Sequence, residues 1–227
     1  MPVDSTADSE VTAFRWVPPF AAGLVRDLRI RWALEEIERP YRVRLLDALN
    51  PRPHQYFAEQ PFGQVPAYRD GHVLLFESGA ILIHLGMQDE RLLPAETEPR
   101  MRAIAWLIAA LNSVEPMIFE LVTINIFARG EEWTEERKPQ VVENIRARLK
   151  LLAAALGDDD WFEGRFTIGN LMMVSVLRNL RGSGLVEEQP RLAALVERGE
   201  ARPAFQRALA DQLAVFEQHQ PEEGAAA

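Results

Sequence analysis

The spacing of apolar residues changes along the chain, from short strand-like runs in the first third to long helical patterns afterwards. VTAFRWV (11–17) and YRVRLLD (41–47) are rich in β-branched and aromatic residues, which is typical of strands. Between them, LVRDLRIRWALEEIE (24–38) has apolar residues at close to helical spacing. Further on, VPAYR and HVLLF flank Asp70-Gly71, a pair that predicts a β-hairpin because glycine accepts the positive φ of such a turn.

Helical patterns fill the gaps between these runs. A proline-rich segment leads to one helical turn near 54–59, and GAILIHLGM (79–87) continues from the hairpin as a helix. The predicted order through residue 88 is therefore β-α-β-α-β-β-α. Strands that alternate with helices in this way indicate a mixed α/β domain.

The second part of the chain has only helical patterns. The segment 98–127 is long, and Pro116 is expected to kink it. A helix over 131–157 should stop at Gly157, since glycine is common just past a helix end. FTIGNLMMVSVLRNL (166–180) predicts an apolar helix buried on most of its surface, and two more helices follow. The predicted parts are a mixed α/β domain (11–88), a linker (89–97) and an all-helical domain (98–218). Polar tails precede and follow them, at 1–10 and 219–227.

Composition narrows the class of protein. Apolar residues make up 48% of the 227 and charged residues 26%, which is ordinary for a soluble globular chain with a sizeable core. The formal charge of −9 argues against nucleic acid as a partner, although it still permits one local basic pocket for an anionic substrate. No apolar run reaches the ~20 residues of a membrane-spanning helix, and the acidic N-terminus is unlike a secretory signal. We therefore expect a cytoplasmic protein with no membrane partner.

Cysteine and histidine limit the chemistry further. The absence of cysteine excludes disulfides, thiolate metal sites and a redox thiol borne by the protein. The four histidines, at positions 54, 72, 84 and 219, lack the spacing that would support a metal site. The sequence contains neither G-x-G-x-x-G nor G-x-x-x-x-G-K, the glycine-rich motifs that bind dinucleotides and nucleotide phosphates. We therefore expect no metal.

Two dipeptides, Val65-Pro66 and Glu77-Ser78, could provide the backbone groups and the hydroxyl that a peptide ligand requires. The Val65-Pro66 bond can be cis at modest cost, which would turn the backbone so that Val65 exposes its N–H and C=O to an added extended peptide. Ser78 follows Glu77 at the head of a helix, where its hydroxyl and the open amides of the first turn can bind an anion. Each pair also has a structural interpretation, because Pro66 can start an edge strand and Ser78 can be an N-cap.

Four segments of the chain carry a family resemblance in their order and spacing: GQVPAYRDG, FESGAILIHL, FTIGNLMMVSVLRNL and ERGEARPAFQRALADQ. Together they resemble cytosolic glutathione S-transferases, from about residue 11 to 217. The resemblance implies an N-terminal thioredoxin-like βαβαββα domain, an all-helical C-terminal domain and a homodimer. It also implies glutathione as co-substrate and a small hydrophobic electrophile that enters between the domains, where Trp106 or Met117 would line its pocket.

The resemblance also implies the contacts to glutathione. The cysteinyl unit would lie on the corner formed by Val65 and Pro66, next to Gln64. The γ-glutamyl carboxylate would meet Ser78, and the amino group beside it would face Glu77. These five residues form the predicted core of the glutathione site.

The glycyl carboxylate at the other end of the ligand needs a cation. Counting back from Pro66, Arg52 falls where many members of the family have a lysine, and His54 follows two residues later. Either side chain would supply the charge. His54 can equally be a solvated loop residue.

The expected catalytic position lacks the usual donors. A free thiol has a pKa of about 8.5, so a transferase must stabilise the thiolate; members of the family use Tyr, Ser or Cys near the first helix. That position falls around Leu24, and residues 15–36 contain none of these residue types. Three explanations stay open: the amides of residues 23–25 at a helix start, the cation of Arg26 or Arg15, or glutathione binding without much catalysis.

Rival functions follow from the lack of a catalytic donor. One is a non-catalytic glutathione-binding or scaffold protein. Another is a disulfide reductase that uses two glutathione molecules and requires no protein thiol. A third is a structural module with no ligand. The favoured interpretation is a transferase that joins glutathione to a small hydrophobic electrophile.

Thr167 and Asn170 fall at the capping-box spacing of the family, with asparagine in place of the acid. Asparagine can still accept a hydrogen bond from the N–H of the capping residue. We expect this pair to serve folding and to have no catalytic role.

Overall fold

The strands of the computed structural model, within the described residues 2–221, are β1 (Glu10–Phe14), β2 (Arg42–Leu46), β3 (Ala67–Asp70) and β4 (Val73–Phe76). They form one sheet in the order β2-β1-β3-β4. β1 runs parallel to β2 and antiparallel to β3. This mixed sheet lies where the sequence predicts strands.

The predicted hairpin is confirmed. β3 and β4 pair antiparallel, from Ala67 opposite Phe76 to Asp70 opposite Val73. Gly71 turns the chain with φ of 57°, a value that favours glycine. Because Ala67 and Phe76 are partners, the residues just before β3 and just after β4 lie at the same end of the sheet.

The helices also follow the predicted order, with α1 and α2 in the βαβαββα part and the others after residue 96. A 3₁₀ helix, His54–Ala58, forms the helical turn expected between β2 and β3. Gly157, at φ of 63°, ends α5 as predicted. The α-helices of the described range are α1 (Asp27–Glu36), α2 (Ser78–Gly86), α3 (Thr97–Ala109), α4 (Glu115–Val122), α5 (Glu132–Leu156), α6 (Ile168–Leu177), α7 (Pro190–Glu200) and α8 (Pro203–Gln218).

α1 begins later than the spacing of apolar residues predicts, at Asp27 rather than residue 24. Residues 18–26 form successive turns, in which the amide of Ala21 bonds to the carbonyl of Pro18 and that of Leu24 to the carbonyl of Ala21. Two prolines lack an N–H to donate, and Gly23 has φ of 75°, which an α-helix does not accept. The loop before α1 is therefore longer than expected.

The long helical stretch Thr97–Phe127 is interrupted by π-helical turns at Ala110–Val114 and Thr123–Phe127. Pro116 lies in the first turn of α4, where a missing N–H is tolerated. By length and composition, this is the one helical stretch of the described chain that could cross a membrane, a property that core helices of soluble proteins share. Polar residues such as Asn112 and Glu115 divide it, so no uninterrupted apolar run of that length exists.

The described residues divide by their contacts into two compact units, 2–89 with 202–221, and 90–201. α8 belongs to the first unit, where it packs against α1. Trp32 meets Phe205 edge to face, with ring centroids 4.9 Å apart, and Gln212 donates to Asp27 at 2.9 Å. Burial raises the pKa of the Asp27 carboxyl. The domain bounds 11–88 and 98–218 remain predictions.

The N-terminal segment is not the loose tail that its polar composition predicts. Val3 pairs with Tyr41 in an isolated parallel bridge, the amide of Asp4 donates to the carbonyl of Tyr41 at 2.8 Å, and Ser9 is buried. Backbone pairing satisfies these residues even though their side chains are polar. At the other end, residues 222–227 of the predicted C-terminal tail lie outside the described range.

α6 is the buried helix of the second unit, as predicted. Thr167 accepts from the amide of Gly169 at 3.2 Å and caps this helix. The expected role of Asn170 as a capping-box acceptor is wrong. Its Oδ1 accepts from the amide of Phe162 at 2.9 Å, and its Nδ2 donates to the carbonyls of Phe162 and Arg165, so it holds the preceding loop.

Candidate functional site

A bend in the backbone precedes β3, where the peptide bond between Val65 and Pro66 is cis. Val65 is buried, at 5% exposure. Among residues 2–221, neither its amide nor its carbonyl forms a hydrogen bond within the protein. Buried backbone groups are nearly always paired, so this residue has the open donor and acceptor that an added peptide strand requires.

Three buried side chains hold the backbone on either side of this corner. The carbonyl of Gln64 accepts from the hydroxyl of Tyr56 at 2.6 Å, and its amide donates to Gln60 Oε1 at 3.2 Å. The Tyr56 hydroxyl also lies 2.9 Å from Thr12 Oγ1, which accepts from the amide of Ala67 at 2.7 Å. Burial raises the pKa of Tyr56, so the phenol stays protonated and donates. The backbone on either side of Val65 is therefore fixed by hydrogen bonds, while the amide and carbonyl of Val65 remain available to a ligand.

The sequence does not predict that these three side chains support the corner. Thr12 lies on β1, 55 residues before Ala67, and Tyr56 belongs to the 3₁₀ helix. The side chain of Gln60 accepts from the nearby amides of Phe62 and Gln64. The only sequence signal is that polar residues occur among apolar ones, which is too common to identify a role.

The start of α2 is the second half of the site. Glu77 precedes the helix with φ of 67° and ψ of 116°, and the first helical bond runs from the amide of Ile81 to its carbonyl. Within the described chain, the amides of Ser78, Gly79 and Ala80 have no partner. Because Ser78 is the first helical residue and Glu77 occupies the N-cap position, the N-cap interpretation of Ser78 is wrong. A helix start with three open amides attracts an anion.

Ser78 is itself almost completely buried, at 4% exposure. Its Oγ accepts a hydrogen bond from Arg29 Nη1 at 3.2 Å. Arg29 lies on α1 and is 3% exposed. This bond ties the start of α2 to α1 and places a positive charge beside the open amides.

The two candidates for the glycyl carboxylate differ in their surroundings. Arg52 donates to the carbonyls of Gly63, at 3.0 Å, and of Asp47 and Asn50, and its guanidinium lies over the ring of Phe14. It therefore holds the loop between β2 and β3. His54 is exposed at the start of the 3₁₀ helix.

The loop before α1 lies beside the corner. Val25 is partly buried against an apolar cluster that includes Val65. Arg26, at the N-cap position of α1, is partly buried, while Arg15 is exposed. The expectation that residues 23–25 offer amides at a helix start is wrong, because α1 begins at Asp27. The other members of the cluster are Leu46, Tyr56, Ala67 and Phe14.

In the second unit, Trp106 stacks on Phe162 with centroids 4.1 Å apart. It also lines an apolar cavity of about 270 Å³ among α3, α5 and α6. Met117, the other residue expected to line an electrophile pocket, is not part of this cavity. Across residues 2–221, no three His, Asp or Glu side chains are grouped to hold a metal ion.

Comparison with known proteins agrees with this geometry. Residues 14–86 match the family described as the N-terminal domain of glutathione S-transferase. The glutathione S-transferase GstA of Escherichia coli O157:H7 is 33% identical over 160 residues, which cover 68% of this chain and 76% of that protein.

The solved structures that this chain resembles are also glutathione transferases. A glutathione transferase family member from Pseudomonas fluorescens Pf-5, with two glutathione molecules bound, is similar with a TM-score of 0.77 and 26% identity, covering 88% of this chain and 92% of that one. A glutathione transferase from Burkholderia graminis, with two glutathione molecules bound per subunit, has a TM-score of 0.77 and 25% identity over 88% and 87% of the chains. The thioredoxin-like N-terminal domain and helical remainder are thereby confirmed, and this chain belongs to the glutathione S-transferase family.

Proposed function

We propose that the protein is a glutathione transferase that binds glutathione at the end of the sheet where Val65 and Ser78 lie. One observation carries the proposal: because Ala67 pairs with Phe76, the open backbone of Val65 and the open amides of α2 are at the same end. A peptide can pair with Val65 as an added strand while its carboxylate meets the helix start. Glutathione is a short extended peptide with a carboxylate at each end.

The remaining predicted contacts fit around this arrangement. The exposed side chains of Gln64 and Glu77 flank the corner at Pro66 and would face the ligand backbone and its amino group. Arg52 already donates to three carbonyls, which favours His54 as the direct partner of the glycyl carboxylate. Arg52 would add positive charge nearby. This local charge suits an anionic ligand despite the net charge of −9.

Replacing Ser78 by Ala should weaken glutathione binding by about 1–3 kcal/mol, the usual loss for a hydrogen bond to a charged group. The hydroxyl would otherwise donate to the γ-glutamyl carboxylate. Isothermal titration calorimetry measures the change in Kd, and Ser5→Ala, at an exposed position, is the matched control. Equal affinities of Ser78→Ala and the unmodified protein would place the site elsewhere.

Catalysis would depend on positive charge rather than on a hydroxyl. A nearby cation lowers the pKa of a thiol, and Arg26 is the partly buried cation at the end of the loop that packs beside the corner. No hydroxyl or thiol side chain occurs in residues 15–36. We propose that Arg26 favours the glutathione thiolate, which then attacks the small hydrophobic electrophile.

Purified protein should therefore conjugate glutathione to a chloronitrobenzene above the uncatalysed rate. Arg26→Met should shift the midpoint at which kcat rises with pH upwards by about one unit, because removing an opposite charge raises the pKa of the bound thiol. Arg15→Met, which removes an exposed arginine, is the control and should leave the midpoint in place. Turnover equal to the uncatalysed rate, with glutathione binding intact, would favour a non-catalytic binding protein.

A second candidate function is reduction of small disulfides by two glutathione molecules. The relatives from Pseudomonas fluorescens and Burkholderia graminis each carry two bound glutathione molecules, and this chain has no cysteine to form a mixed disulfide. The two glutathione thiols would be oxidised to one disulfide as the substrate disulfide is reduced to two thiols. Faster turnover of a small disulfide than of any chloronitrobenzene would favour this function.

We further propose that the protein acts in the cytoplasm as a homodimer. The first unit carries an apolar surface that would suit a partner subunit, since Phe62 is 68% exposed and meets Phe76 edge to face at 6.3 Å. Exposed apolar patches of this kind commonly mark protein interfaces.

A further inference from the structure

A buried positive charge lies behind the start of α2. Arg29 is 3% exposed, and its Nη1 lies 3.2 Å from Ser78 Oγ. Charged side chains are rarely this deeply buried unless they are paired or hydrogen-bonded, and Ser78 Oγ is one of the groups that Arg29 contacts. A charge placed next to a helix start favours the same ligand as the helix does, namely an anion.

The direction of this hydrogen bond determines what Ser78 can do. A guanidinium has only donors, so Oγ must be the acceptor. The hydroxyl proton then points away from Arg29, and within residues 2–221 it has no acceptor. A hydroxyl that accepts from a cation becomes a stronger donor, because hydrogen bonds in a chain polarise one another.

The start of α2 therefore has four donors for one anion. Three are the open amides of Ser78, Gly79 and Ala80, and the fourth is the Ser78 hydroxyl. The amides are fixed by the helix, whereas a free serine hydroxyl would rotate. The bond from Arg29 removes that freedom, which lowers the entropy lost on binding.

We propose that Arg29 is a positioning residue for glutathione: through Ser78 it aims and strengthens the hydroxyl that binds the γ-glutamyl carboxylate. The inference rests on the proposed glutathione site and deepens it, since Arg29 acts through Ser78 without touching the ligand. The competing explanation is structural, because the same bond ties α1 to α2. A structural role would affect every ligand of the site equally.

Three ligands separate the two explanations. They are glutathione, glutaryl-Cys-Gly, which keeps the carboxylate but lacks the amino group, and 4-aminobutanoyl-Cys-Gly, which keeps the amino group but lacks the carboxylate. Arg29→Met should raise the Kd of the first two about tenfold, as expected for loss of a charge-assisted hydrogen bond. The Kd of 4-aminobutanoyl-Cys-Gly should stay within about twofold, because that ligand has no group for the aimed hydroxyl.

Arg29→Lys should restore most of the affinity for glutathione, because an ammonium can donate to Ser78 Oγ. Arg129→Met, which removes one exposed positive charge, controls for the change in net charge. Circular dichroism checks folding of each variant. If Arg29→Met is unfolded, Arg29→Gln replaces it, with a smaller loss expected for the same two ligands, because its amide can still donate to Ser78 Oγ but carries no charge.

Two results would overturn the inference. Equal losses for all three ligands in Arg29→Met would show that the residue only ties the helices together. A wild-type protein that binds glutathione and 4-aminobutanoyl-Cys-Gly equally well would show that the carboxylate does not lie at α2. If the wild-type protein binds no glutathione at all, the proposed function itself fails, and that result is distinct from both.

Discussion

Replacing Asn170 by Asp should lower the free energy of unfolding by about 3–5 kcal/mol, the range for breaking a buried polar network. Asn170 is fully buried, and its Nδ2 donates to the carbonyls of Phe162, at 3.1 Å, and Arg165, at 3.0 Å. An aspartate has no such donor. Its carboxylate would face two carbonyl oxygens in a site with little water, which raises the cost of the charge.

Urea denaturation followed by circular dichroism measures this loss. The control is Asn144→Asp on the exposed face of α5, where the same chemical change should alter stability by less than about 0.5 kcal/mol. The result is informative because the family resemblance implies an acid at this capping-box position. A stable Asn170→Asp variant would mean that the loop at 162–165 has another means of support.

Gly169→Ala should be destabilised by about 2 kcal/mol, although alanine is favoured over glycine in helices by about 1 kcal/mol. A Cβ at this position would lie 2.7 Å from the carbonyl oxygen of Ala103 and 2.8 Å from Trp106 Cβ. Because these neighbours are the backbone and first side-chain atom of α3, relief requires the whole helix to move.

Gly199→Ala provides the comparison. Its new Cβ would meet the methyl groups of Val174, at 2.8 and 2.9 Å, and a side chain can move more easily than a backbone. The midpoint of urea unfolding should therefore fall further for Gly169→Ala than for Gly199→Ala. The reverse order would show that α3 and α6 can separate at little cost.

The parts of the fold that sequence analysis predicts correctly are those set by local chemistry. The hairpin follows from glycine at position 71, and the end of α5 follows from Gly157. The start of α1 is missed because the apolar spacing continues into turns that two prolines and Gly23 impose. The pairing of Val3 with Tyr41 is missed because it joins distant residues through their backbones.

The same division applies to the candidate site. Val65-Pro66 and Glu77-Ser78 are local dipeptides, so the sequence alone indicates them, and the cis bond agrees with the prediction. The side chains that support them come from elsewhere. Tyr56 donates to the backbone of Gln64, eight residues later in the sequence. Thr12 lies 55 residues from its partner Ala67, and Arg29 lies 49 residues from Ser78. A single sequence carries no signal for such pairs.

The placement of α8 has a consequence for synthesis of the chain. Its residues cover α1, where Arg202 and Arg207 meet Glu36 and Glu35, and Phe205 packs on the tryptophan at 32. While the ribosome still holds α8, this surface of α1 has no cover, although β1 to β4 have already emerged. The unit that contains the proposed glutathione site thus begins translation before the unit 90–201 and gains its last helix only after that unit has been made.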